Sequence, residues 1–338
     1  MKYVNIFAAG HHKNSQFCMI DGAHKFGSTY LMRMLRDAFL KKGIEINTPD
    51  INLGRKISFE IYIEGQTLED SPHPKYLLAL ENPFINPLNQ NLEYCRQFDH
   101  VFSWNPGLSS IPNFTLLLVP NEIRISSFSK FEERYIFSSL INANKRFPKS
   151  IPGDLYEERL ALIKWYELHH PEDFRLYGLG WEKPSPAFTK AEKFRRRIDR
   201  LRTQLYGYRP FPSFHGALEN KGSVYRFSKF AFCYENTKNL DNYITEKIFD
   251  AMIYGCVPVY WGASNVCDFI PEDCFIDRGR FKNTSELHDF LKSIDGKAYS
   301  NFQVAIHNFL KSSKSDIFKA EEYVNKVVDI VAGTYSSI

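Results

Sequence analysis

A chain of 338 residues, 43% hydrophobic, 24% charged and 15% aromatic, has the composition of a folded globular protein, and its length favours two domains of about 150 residues over a single core. A formal charge of +4 is too close to balance for a strongly basic nucleic-acid-binding protein, so no nucleic-acid partner is expected. No apolar run approaches the roughly 20 residues that span a bilayer, and the opening MKYVNIFAAGHHKN turns polar after one strand's length, which argues against a membrane span or a secretion signal.

In chain order, YVNIFAA (Tyr3 to Ala9) reads as a buried strand. STYLMRMLRDAFLKKG follows as a helix capped by Ser28 or Thr29 and stopped by Gly43. GIEINTP, ISFEIYIEG, PKYLLALENP, DHVFSWNP and NFTLLLVPNEI are strand candidates, and a strand, helix, strand rhythm predicts a parallel sheet with helices on its faces. The rhythm restarts with RYIFSSLINANKR as a strand and LYEERLALIKWYELH as a helix. GSVYRFSKFAFCYENT then reads as a helix-to-strand pair, CVPVYWG as a strand, and SDIFKAEEYVNKVVDIVAG as a last helix from Ser315 or Asp316 to Gly333. Six cysteines without a C-x-x-C pair are expected to be reduced and structural in a cytoplasmic protein, and the paired histidines His11-His12 and His169-His170 do not point to one metal site.

The stretch DNYITEKIFDAMIYGCVPVYWG (Asp241 to Gly262) carries the chemistry. Thr245 suits a helix N-cap, Glu246 and Lys247 fall in the first turn, Ile248, Phe249, Met252 and Ile253 form an apolar face, and Gly255 is the stop. A first-turn lysine is mildly opposed by the helix dipole, so it reads either as a solvated lysine beside a capping glutamate or as a partner for an external anion held by the helix start.

The longer run FAFCYENTKNLDNYITEKIFDAMIYGCVPVYWGASNVCDFIPEDCFID (Phe230 to Asp277) resembles the C-terminal signature of the α-1,3-fucosyltransferases of glycosyltransferase family ten, with fainter agreement in FHGALENKGSVYRFSKF, YEERLALIKWY, LLALENPF and FDHVFSW. The resemblance implies an α/β protein of GT-B architecture, two Rossmann-like domains facing across a cleft. Residues 1–130 would form the acceptor domain, 131–312 the GDP-sugar domain, and 313–338 a C-terminal helix packing back on the first. It further implies that Lys247 and the amides after Thr245 hold the pyrophosphate of GDP-fucose, that Glu246 takes ribose hydroxyls, that Asn236 and Tyr243 line the nucleotide pocket, and that Arg159 reaches the phosphates. For Arg159 the residues alone leave open a solvated helix arginine.

The reaction so implied moves L-fucose from GDP-β-L-fucose to a glycan hydroxyl, O3 of GlcNAc or Glc, with inversion in one displacement. Alternatives are another GDP-linked deoxysugar as donor, or a non-catalytic sugar- or nucleotide-binding protein. Fixed donors aimed at the departing GDP lower the barrier, and the chain has no D-x-D element, so no metal or other cofactor is expected. The base would be Glu81, at the end of a strand-like run in YLLALENPFINP, with His11 and His12 as alternates and a loop-capping glutamate as the bland reading.

KAEKFRRRIDRLR (Lys190 to Arg202) is a basic amphipathic helix with Phe194, Ile198 and Leu201 at helical spacing. The plain expectation is that this apolar stripe lies on the core. The alternative is peripheral contact with an anionic membrane on the cytoplasmic side, which would suit a lipid-linked rather than a free oligosaccharide acceptor.

Overall fold

The computed structural model describes residues 1–18 and 28–336. The first sheet holds six parallel strands, β1 (Lys2–Ala8), β2 (Ile44–Asn47), β3 (Ile57–Ile63), β4 (Lys75–Ala79), β5 (His100–Ser103) and β6 (Phe114–Leu116), in the order β2-β1-β3-β4-β5-β6. Strand β4 is apolar after Lys75, and β3 is buried from Phe59 to Ile63 even at Glu60, because a central parallel strand is covered on both faces. Helix α1 (Ser28–Lys41) turns Leu31, Met32, Leu35 and Phe39 onto one face of this sheet, while Leu77, Ala79, Tyr94, Phe98 and Leu108 fill a second cluster with Tyr62. A short helix, α2 (Leu92–Cys95), contributes Tyr94 and Cys95 to that cluster. The cap expected at Ser28 or Thr29 falls within α1, and the residue before Ser28 lies outside the described residues.

The second sheet repeats the plan with β7 (Ile136–Ile141), β8 (Phe174–Tyr177), β9 (Ser228–Tyr234), β10 (Val257–Trp261) and β11 (Ile276–Asp277), in the order β11-β10-β9-β7-β8, all parallel. Helices α3 (Leu155–His169), α4 (Lys190–Tyr206), α5 (Gly222–Tyr225), α6 (Glu246–Met252), α7 (Thr284–Ser293) and α8 (Gly296–Lys311) accompany it. Gly255, at φ +65°, follows α6 and provides the expected stop. Helix α8 escaped the sequence reading although its signals are local: Asp295 caps it by accepting from Ala298 N at 2.8 Å, and Tyr299, Ile306, Phe309 and Leu310 are its buried residues. Arg134 is buried beneath this sheet, its guanidinium donating to the carbonyls of Ser129, Tyr225, Ser228 and Tyr254 at 2.6–3.1 Å.

The described chain divides into two compact units. One comprises residues 1–123, 241–246 and 313–338, the other residues 124–240 and 247–312. Residues 124–130 thus lie in the second unit rather than the first, and the stretch 241–246, expected in the second domain, groups with the first.

Helix α9 (Ala320–Ser336) belongs to the first unit and lays Val324, Val327, Val328 and Val331 into the core that α1 covers. Its start and end differ from expectation. Residues Ser313–Phe318 form a 3₁₀ turn, and Lys319 is drawn into a parallel bridge with Asn121, whose N donates to Phe318 O at 2.7 Å and whose O accepts from Ala320 N at 2.9 Å. That long-range bridge, not a cap at Ser315 or Asp316, fixes where the helix begins. Gly333 lies within the helix, where a right-handed glycine costs only about 1 kcal/mol relative to alanine.

The expectation for α4 is reversed. It buries none of its residues, and Phe194, Ile198, Leu201 and Leu205 are all exposed. Among the described residues no helix is long and apolar enough to cross a membrane.

Candidate active site

Both sheets change strand direction of growth beside their first strand, at β1/β3 and at β7/β9. In open α/β sheets, ligands bind outside the carboxyl ends of the strands at such switch points. In the second unit β9 ends at Tyr234 and delivers Glu235, Asn236 and Thr237 to that position.

Glu235 is fully buried, and its Oε2 accepts from Lys247 Nζ at 3.0 Å. Its own N donates to Trp261 O at 2.8 Å, which carries the β9–β10 pairing one residue past the strand. A Cβ at position 262 would lie 2.5 Å from Glu235 Cγ and 2.3 Å from the Tyr260 hydroxyl, so Gly262 is what admits the buried carboxylate.

Arg159 reaches the same corner from α3. It is 3% exposed, which excludes the solvated helix arginine, and its Nη2 donates to Tyr234 O at 2.6 Å, Glu235 O at 2.8 Å and Asn236 Oδ1 at 3.3 Å. The guanidinium therefore holds the end of β9. A fixed cation of this kind also raises the local positive potential. Leu155 N donates to Asn236 O at 3.1 Å, tying the start of α3 to the same turn.

The expected division of labour between Glu246 and Lys247 needs a third member. Thr245 is buried immediately before α6, and Glu246 and Lys247 open that helix half-buried, but the carboxylate that receives Lys247 is Glu235. Sequence reasoning missed Glu235 although it stands in the quoted YENT. A lysine twelve residues downstream gives no local sign of the pairing.

In the first unit, Glu81 follows β4 and is half-buried. Its Oε1 accepts from Asn82 N at 2.7 Å and from the Tyr243 hydroxyl at 3.1 Å. Tyr243, expected to line the nucleotide pocket, is buried and donates its hydroxyl to the candidate base. Trp104 packs against its ring, tilted by 45° with centroids 4.7 Å apart, and Asn242 Nδ2 donates to Trp104 O at 3.2 Å.

A second carboxylate, not anticipated, lies behind Glu81. Glu64 follows β3 with a left-handed backbone (φ +62°) and accepts from Leu80 N at 3.1 Å, from Glu81 N at 3.0 and 3.1 Å, and from Asn89 Nδ2 at 2.5 Å. Burial pushes its carboxyl up to about 7 and the Glu81 charge adds to this, against the pull of the N–H donors.

Because the folded pKa lies above that of the unfolded chain, Glu64 contributes stability in full below about pH 4.5 and loses it as pH rises through about 7. The loss is on the order of 3 kcal/mol. Urea midpoints of Glu64→Gln should therefore fall less than wild type between pH 5 and pH 8; parallel curves for the two proteins would show that Glu64 does not titrate there.

Of the alternate bases, His11 Nδ1 lies 3.1 Å from Ser15 Oγ, and His12 is exposed. One group of metal-ligating side chains also forms away from these strand ends. His170 stacks on His288 at 4.0 Å between centroids, and both side chains bring a nitrogen near Asp173. The Lys292 ammonium sits 2.7 Å from Asp173 Oδ2 and already supplies a positive charge there, which opposes a metal ion.

Part of the chain is similar to known proteins. Residues 191–313, which include Glu235, Asn236 and Tyr243 to Lys247, match the family model described as glycosyltransferase family 10 (fucosyltransferase) C-term. An alpha-(1,4)-fucosyltransferase from Arabidopsis thaliana is 43% identical over 76 residues, 22% of this chain and 19% of that protein. The alpha-(1,3)-fucosyltransferase FucT of Helicobacter pylori is 34% identical over 102 residues, 24% of this chain and 21% of that one. The chain thus spans about a fifth of the length of these curated relatives. Among solved structures, sucrose-phosphate synthase from Thermosynechococcus elongatus aligns over 100% of both chains with a TM-score of 0.62 and 10% identity, a likeness of fold. The two-sheet α/β plan is that of the GT-B glycosyltransferases.

Proposed function

From the premise that residues 191–313 place this chain in glycosyltransferase family 10, we propose that it is an inverting fucosyltransferase using GDP-β-L-fucose as donor and a glycan hydroxyl, O3 of GlcNAc or Glc, as acceptor. The observation that carries the reading is the Lys247–Glu235 pair at the carboxyl end of β9, beside the switch point of the second sheet. Glu235 is too buried to meet a substrate, so its role is to hold the ammonium of Lys247 in place. Lys247 and the amides after Thr245 receive the diphosphate, Glu246 and Asn236 contact the nucleoside and sugar, and Arg159 keeps the β9 end rigid while adding fixed positive charge.

Inversion in a single displacement requires that a base remove the acceptor proton as the oxygen attacks C1 and the GDP–C1 bond breaks. Glu81 fills that role, oriented by Tyr243 and Asn82. Negative charge builds on GDP in the transition state, where preorganised N–H and ammonium donors act most strongly. The fixed cations serve that leaving group without a divalent ion, in keeping with the lack of a D-x-D element in the chain.

Incubation of the purified chain with GDP-fucose, EDTA and a panel of β-galactosyl and N-acetylglucosaminyl glycans tests the proposal. The expected result is GDP release matched by an α-fucosylated product, with the linkage read by NMR. Turnover of only another GDP-deoxysugar would correct the donor, and absence of both turnover and GDP binding would overturn the enzyme reading.

A further inference from the structure

Helix α4 sits with its polar side toward the protein and its apolar side toward solvent. Glu192, Arg196, Asp199 and Thr203, spaced as one face of a helix, are its half-buried residues. Glu192 anchors that face, accepting from Arg146 Nη1 at 3.1 Å and from Phe188 N and Thr189 N at 3.0 and 3.1 Å. The opposite face presents Phe194, Ile198, Leu201 and Leu205 at 65%, 41%, 55% and 69% exposure.

At 100° per residue, Arg195 and Arg202 border this stripe on one side, and Lys190, Lys193 and Arg197 on the other. The helix carries seven Lys/Arg against Glu192 and Asp199, a net charge of +5. Because Glu192 turns toward the body, the outward side is both apolar and basic.

We propose that α4 is a docking surface for an anionic lipid bilayer. It would lie in the plane of the interface with the stripe entering the acyl boundary and the bordering arginines on the lipid phosphates. Charge complementarity selects this occupant. A second copy of the helix would bring two +5 faces together, and a nucleic acid would use the arginines but leave Ile198, Leu201 and Leu205 without a partner. This surface goes beyond the transferase reading and stands whether or not that reading holds.

The test is co-sedimentation of this 338-residue chain with vesicles of phosphatidylcholine alone or with 30% phosphatidylglycerol. Binding is expected to the anionic vesicles and to weaken as salt is raised. The triple variant Arg195→Gln/Arg197→Gln/Arg202→Gln should lower the partition coefficient about 100-fold. Phe194→Ser/Leu201→Ser/Leu205→Ser should lower it by about tenfold or more. Since none of these side chains is buried, melting temperatures should stay near wild type, which separates lost docking from lost folding.

Absence of binding to anionic vesicles would overturn the proposal. So would binding that the serine variant leaves intact, since charge alone would then account for it. A dimer in light scattering that the serine variant dissolves would assign the face to a second copy, and equally tight, salt-sensitive binding to an oligonucleotide would assign it to nucleic acid; either result replaces the lipid surface.

Discussion

Glu81→Gln is expected to lower fucosyl transfer by about 10²–10⁴-fold while leaving affinity for GDP and GDP-fucose near wild type. The substitution is nearly isosteric. The carboxamide oxygen can still accept from Asn82 N and the Tyr243 hydroxyl, the two bonds that fix the side chain, so the loop after β4 should hold its shape. What is lost is the capacity to take a proton. Single-turnover transfer measured beside GDP titration separates the two effects. Tyr243→Phe removes the orienting bond but keeps the carboxylate, and should cost less, roughly tenfold, the worth of about one hydrogen bond to a charged group. If Glu81→Gln transfers at near wild-type rate, the base lies elsewhere, and Glu64, His11 and His12 become the candidates to substitute next. Glu64 is the one with a carboxyl pushed up to about 7, and its contacts with Glu81 N couple the two.

What the sequence made legible and what it hid follow from the range of the interactions involved. Helix α3 matches its sequence boundaries because its start is written locally, in Asp154 accepting from Tyr156 N at 2.8 Å, and β4 is visible as a short apolar run because burial on both faces demands it. Glu64 was hidden because its meaning depends on register. Only the parallel pairing of Ile63 with Leu78 brings the end of β3 beside the chain leaving β4. Adjacent residues such as Glu246 and Lys247 point about 100° apart on a helix, so their adjacency could not reveal that Lys247 pairs with Glu235. The amphipathic pattern of α4 correctly shows which residues share a face, but a pattern carries no information on which face turns inward. Long-range pairing likewise decided the start of α9, through Asn121.

Lys247→Ala should produce two losses with different causes, and a second substitution can separate them. Glu235 is completely enclosed and the Lys247 ammonium 3.0 Å away neutralises it, with the lysine side chain 18% exposed. Removing the cation leaves a buried carboxylate to its remaining contacts, a change that costs about 3 kcal/mol. If Lys247 also receives the diphosphate, GDP binding should weaken by roughly 10–100-fold, the range of a lost charge-assisted bond. In the double variant Glu235→Gln/Lys247→Met the buried charge is gone as well, so most of the stability should return, because a neutral pair of similar volume escapes the larger penalty of desolvating ions. GDP affinity should not return, since no ammonium remains. Denaturation midpoints and GDP titrations on wild type, the single variant and the double variant give both readings. Recovery of GDP affinity together with stability would mean that Lys247 serves only to neutralise Glu235. Unchanged GDP affinity in Lys247→Ala, measured well below its melting temperature, would remove the diphosphate from this strand end altogether.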